Sequence, residues 1–138
     1  MNDKSILDII RVAIMYIGSL LGMLFDQIDN ITWALIAFVT VDYITGIVYA
    51  FCSKTLSSKT GAKGIAKKLA ILCVVAVSSA LGNFVLGSDS LRTAVTFYYI
   101  SNEGLSIIEN CVKLGVPVPS VLKNTLGNIG SSSERKAN

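Results

Sequence analysis

One aspartate, Asp42, stands near the middle of an otherwise uncharged apolar run from Ile31 to Phe51. A carboxylate so placed either moves protons or ions, or is held by a structural partner, with Thr40 and Thr45 close by in sequence; both readings stay open. Glu103 and Glu109 form a second candidate pair for acid–base work. Six positions apart, they point in different directions on a helix, and neither a nucleophile nor a metal-ligand set accompanies them. The chain has no histidine, which excludes imidazole-ligated zinc and histidine-dependent catalysis. Cys52, Cys73 and Cys111 are an odd number without a pairing pattern, suited to small apolar packing. The stretch from Ser57 to Gly64 lacks the Gly-Lys-Ser/Thr order of a phosphate loop, and the Asn30-Ile31-Thr32 sequon abuts an apolar run. Neither an enzyme nor a cofactor or metal site is expected.

The densest polar pattern lies further on. Arg92, Thr96, Tyr99, Glu103, Ser106, Asn110 and Lys113 follow one another at alternating intervals of four and three, which puts all seven on one face of a helix. Leu91, Val95, Tyr98, Leu105, Ile108 and Val112 occupy the other faces. In lipid each central charge costs about 2.5–3.5 kcal/mol on insertion scales. The stripe must therefore face protein or water, or the helix must lie in the headgroup plane.

Those residues need elements to carry them, and composition says which. Of 138 residues, 52% are hydrophobic and only 15% charged, against roughly 25% charged in a soluble domain; mean hydropathy is +0.63. The expected fold is an all-α integral membrane protein of three to four transmembrane or amphipathic helices, a single domain that assembles as a homo-oligomer. Segment 6–25 is a transmembrane or interfacial helix, with Asp8 and Arg11 able to pair and Gly18 and Gly22 in a small-xxx-small spacing. Segment 31–51 is long enough to span a bilayer. Segment 69–86 is a second uncharged span, with Ser78 and Gly82 suited to helix contact. Segment 91–114 carries the stripe and ends before Pro117 and Pro119. Segment 115–138 holds a short helix from Ser120 to about Leu126 and then a polar tail expected to be disordered.

Charge sets the orientation. Lys54, Lys59, Lys63, Lys67 and Lys68 crowd an acid-free 52–68 loop, five of the twelve basic residues in the chain. Such a short cationic loop stays in the cytoplasm. Four spans then put both termini inside and leave Asp26, Asp29 and Asp89 outside. The basic loop carries no interleaved aromatics, so anionic lipid, rather than nucleic acid, is its expected partner.

Several blocks have a family likeness. Asp42-Tyr43-Ile44-Thr45-Gly46, the stretch with Gly61, Gly64 and Lys67-Lys68, Tyr99 to Asn110, and Gly115-Val116-Pro117-Val118-Pro119 resemble phage holins of the toxin-secretion/phage-lysis family. The resemblance spans about residues 40 to 124. It implies a protein that oligomerises in the bacterial cytoplasmic membrane and opens lesions releasing a phage endolysin or, in some clostridia, a toxin. On the residues alone, the stripe would line such a hole or its subunit contacts. Two other classes remain open: a small proton-coupled transporter using Asp42 or Glu103, and a non-conducting, antiholin-like scaffold.

Overall fold

The computed structural model describes residues 3–24 and 29–137. They form five α-helices: α1 (Asp3–Leu24), α2 (Asn30–Cys52), α3 (Ser58–Leu81), α4 (Ser90–Lys113) and α5 (Ser120–Ala137), with a π-helical turn at Gly82–Leu86 prolonging α3. No strand occurs among the described residues.

Helix α2 starts where Asp29 accepts a hydrogen bond from the Thr32 amide, the geometry of an N-cap. Its 23 residues and the 29 of α3 with its π-helical extension are each long and apolar enough to cross a membrane. Most of their surface is not covered by the rest of the chain. Trp33, Val41, Ile44, Val48 and Phe51 on α2, and Leu69, Val74, Val77 and Leu81 on α3, are exposed. Such a continuous apolar exterior is what a lipid-facing helix presents and a soluble domain avoids.

Inside, Leu35 and Val39 of α2, Ile71 and Val75 of α3, and Ile100 of α4 make one apolar cluster, with Phe38, Leu72 and Tyr99 packed against it. The approach of α2 to α3 depends on glycine. A Cβ on Gly64 would lie 3.2 Å from the Tyr43 ring, and one on Gly61 would lie 3.7 Å from its hydroxyl.

Three expectations change. The basic segment is a loop only at 53–57; Ser57 caps α3 through the Thr60 amide, and Lys59, Lys63, Lys67 and Lys68 are helical. Segment 115–138 is not a disordered tail with a short helix, because α5 runs from Ser120 to Ala137. It packs along α4, where Leu126 fits over Gly104 and Gly130 over Ser101. Gly82 serves the chain's own turn: a Cβ there would meet the Ser88 carbonyl oxygen at 2.6 Å.

Candidate functional site

Four polar groups of α4, those of Arg92, Glu103, Asn110 and Lys113, meet partners on α2, its N-cap or α3. At one end Arg92 donates to Asp29 at 3.0 Å and to Thr32 at 3.3 Å. At the other end the Lys113 ammonium lies 5.6 Å from the centre of the Tyr49 ring, within cation–π range. Between them Asn110 donates to Asp42 at 3.3 Å and to Thr45 at 3.2 Å. Helix α4 is therefore antiparallel to α2 and lies level with it from end to end.

The centre of the molecule holds the chemistry. The Lys68 ammonium donates to both the Asp42 and the Glu103 carboxylates. All three side chains are shielded, at 13% exposed for Lys68, 9% for Asp42 and 5% for Glu103. Two acids thus share one cation at the level of mid-α2. A buried ionic group of this kind is tolerable only with every partner in place. Gly46 lies against Asn110: a Cβ there would make an ordinary contact at 3.7 Å with its amide nitrogen. The Asp42-to-Gly46 block thereby acquires a physical meaning: an acid and a hydroxyl that both accept from one asparagine. Thr40, the other neighbour considered for Asp42, bonds the Ile36 carbonyl instead.

A cleft between α3 and α4, about 520 Å³ in volume, opens beside the triad and is lined by Lys67, Asn102, Ser106 and Glu109. Chemically, the arrangement can hold a proton or exchange one. No group of three or more metal-binding side chains occurs among the described residues.

The expected site residues are distributed as follows. Arg92, Thr96, Glu103 and Asn110 of the stripe are turned into the subunit, Tyr99 packs on the core, Ser106 lines the cleft and Lys113 is exposed. A single subunit thus satisfies Arg92, Glu103 and Asn110 of the face that sequence alone left to neighbouring copies or water. Lys59, Lys63 and Lys67 remain exposed, whereas Lys68 turns inward. Ser78 is buried and bonds the Val75 carbonyl. At Gly18 and Gly22 a Cβ would meet nothing within 4 Å, so that small-residue spacing is open to another molecule. Sequence reasoning missed the inward turn of Lys68, the Asp29–Arg92 link, and the Ser101–Gly104 seat for α5. Only the last had a sequence signal, small residues on α4 spaced by three.

Asp29 lies just outside the α2 span. The Arg92 guanidinium holds its carboxyl well below the usual carboxylate range. A carboxyl lowered on folding contributes stability above its unfolded value and loses it as pH falls through the folded value. Asp29→Ala should therefore cost about 1 kcal/mol through the lost cap, plus a smaller share from the half-exposed pair. The wild-type advantage in thermal unfolding should hold from neutral pH down to about pH 4, because the unfolded carboxyl titrates near there. It should shrink only in stronger acid.

Comparison with known proteins gives the chain its family. The model of the bacteriophage holin family matches residues 19–131. A protein named probable holin from Bacillus phage phi105 is 35% identical over 96 residues, covering 70% of this chain and 71% of its own. An uncharacterized protein of Listeria innocua is 42% identical over 119 residues, 86% of this chain and 84% of its own. A 14.9 kDa protein of Clostridium perfringens is 37% identical over 129 residues, 93% and 98% of the two chains. No solved structure matches. With most of its length matched by the family model and a phage holin among its relatives, the chain belongs to the bacteriophage holin family.

Proposed function

We propose that this protein is a holin: copies gather in the bacterial cytoplasmic membrane and open lesions through which an endolysin, or another protein cargo such as a toxin, leaves the cell. The observation that carries the proposal is the inverted distribution of polarity in a holin-family chain. Asp42, Lys68 and Glu103 are paired within, and large apolar side chains of α2 and α3 are exposed. In this reading the lysine-rich end faces the cytoplasm, with Lys59, Lys63 and Lys67 on anionic headgroups at about 1 kcal/mol per lysine close to the surface. Gly18 and Gly22 of α1 offer a close-packing surface to a second copy. The α4 stripe fastens the subunit together, and it reaches a lesion only if α4 leaves α2 and α3.

With the lysine end inside, α1 begins on the cytoplasmic side. Arg135, near the end of α5, then lies at the same end of the bundle as Asp89, away from Lys113. The expected cytoplasmic C-terminus rested on a tail hanging free from α4, and the return of α5 along α4 removes that basis.

The test is release from liposomes at graded protein density. Abrupt passage of a protein-sized fluorescent cargo above a threshold density is expected. Selective, proton-linked flux of small solutes would instead make the protein a transporter working through the Asp42–Lys68–Glu103 group. Absence of any flux would leave a scaffold. In intact cells, a cysteine at Ser58 should escape an impermeant thiol reagent, and ready labelling there would reverse the orientation.

A further inference from the structure

One row of exposed polar residues lies on α5. With α4 answered by α2 and α3 on one side, α5 covers another, antiparallel to it. The Ser101 hydroxyl donates to the Leu126 carbonyl, Leu126 packs on Gly104 beside Phe38, and Gly130 packs on Ser101. Phe38 lies near the middle of α2, so the centre of α5 sits at the depth of the centre of the α2 span. Eighteen residues make α5 about 27 Å long, close to the hydrocarbon thickness.

Leu126 and Ser133 are buried on its inner side. Asn124, Asn128, Ser131 and Arg135 fall at intervals of four, three and four, on the side opposite Leu126, and all are exposed. Among the described residues, Ser131 and Arg135 bond carbonyls of their own helix. The Asn124 and Asn128 amides bond no side chain among the described residues. A row of two amides, a hydroxyl and a guanidinium facing lipid at this depth would be strongly disfavoured.

We infer that this row of α5, and not the α4 stripe, faces the water of the lesion, an inference that rests on the holin reading. Charge separates water from a second α5 as the occupant. In a ring of copies inserted with the same orientation, α5 against α5 would set Arg135 on Arg135, whereas a water-filled lumen accommodates a ring of guanidinium groups. The packing of α4 points the same way, because Arg92, Glu103 and Asn110 on its stripe already have partners inside the subunit.

The experiment uses the full chain with Cys52, Cys73 and Cys111 replaced by serine, reconstituted in liposomes loaded with a fluorescent protein. Single cysteines are placed at Asn124, Asn128 and Ser131, at Thr96 and Ser106 on the stripe, and at Ile44 and Val77 on the apolar exterior. An impermeant thiol reagent is added once release has begun. The α5 positions should react roughly tenfold or more faster than Ile44 and Val77, because thiolates form in water and not in lipid, and Thr96 should stay protected. Three α5 positions keep the result independent of any one variant that fails to fold. Fast labelling at Thr96 and Ser106 with protected α5 positions would overturn the assignment in favour of α4, while leaving the holin reading intact. Protection of all positions during continuing release would also overturn it. Absence of release from the unsubstituted protein would instead remove the holin reading and this inference with it.

Discussion

Replacing Lys68 by methionine should destabilise the protein by about 3–5 kcal/mol, the range for removing one partner from a buried ionic group. The loss would show as a large fall in the thermal unfolding midpoint of the full chain in mild detergent. Methionine retains the length and apolar stem of lysine, so packing changes little while Asp42 and Glu103 lose their shared cation. They then sit a few ångströms apart as like charges unless they take up protons. Adding Asp42→Asn and Glu103→Gln to Lys68→Met should restore much of the stability, because neutral amides need no counter-charge. Lys67→Met, one residue away but exposed, should stay within about 0.5 kcal/mol of wild type. Equal effects at positions 67 and 68 would show that the triad does not form in the membrane.

The second large effect should follow overfilling of the α4–α5 seam. A Cβ on Gly104 would lie 2.9 Å from both terminal carbons of Leu126 and 2.9 Å from the Phe38 ring. Gly104→Val forces α5 away or reshapes the core, at about 1–3 kcal/mol. Amide hydrogen exchange along α5 should quicken in the variant while that of α2 and α3 changes little. Leu126→Ala removes the obstructing carbons, so Gly104→Val with Leu126→Ala should recover part of the protection, a coupling that a double-mutant cycle would measure. Gly18→Ala, facing open space, should be neutral or gain up to about 1 kcal/mol from helix propensity. Unchanged exchange in Gly104→Val would mean that α5 is not docked on α4.

What the sequence made legible was periodic or long. The apolar runs around Asp42 and from Leu69 to Leu86 announced two helices suited to a bilayer. The four–three spacing from Arg92 to Lys113 announced a one-faced helix, and the Asp42-to-Gly46 and Tyr99-to-Asn110 blocks announced the family. The destination of the polar face was not legible, since spacing shows which residues share a side but not what covers it. Lys67 and Lys68 are chemically identical neighbours about 100° apart on a helix, and only the positions of Asp42 and Glu103 decide which turns inward. Helix α5 was obscured because glycine and serine, so frequent from Gly127 to Ser133, signal disorder in water. Against a helix carrying Ser101 and Gly104, the same small residues allow two backbones to approach closely.

The meeting of Asp42, Lys68 and Glu103 also bears on how the chain enters the membrane. The ribosome delivers these residues in that order. When α2 and α3 have emerged and α4 has not, the nascent hairpin already holds one acid and one base able to neutralise each other, so it can leave the translocon as an uncharged pair. Helix α4, too polar to partition by itself, arrives later and finds Lys68, Asp29 and Thr45 waiting for Glu103, Arg92 and Asn110. Its insertion should then depend on the two helices made before it. A truncated transcript ending before Ser90 should still produce an integrated hairpin, whereas α4 produced without α2 and α3 should remain outside the bilayer.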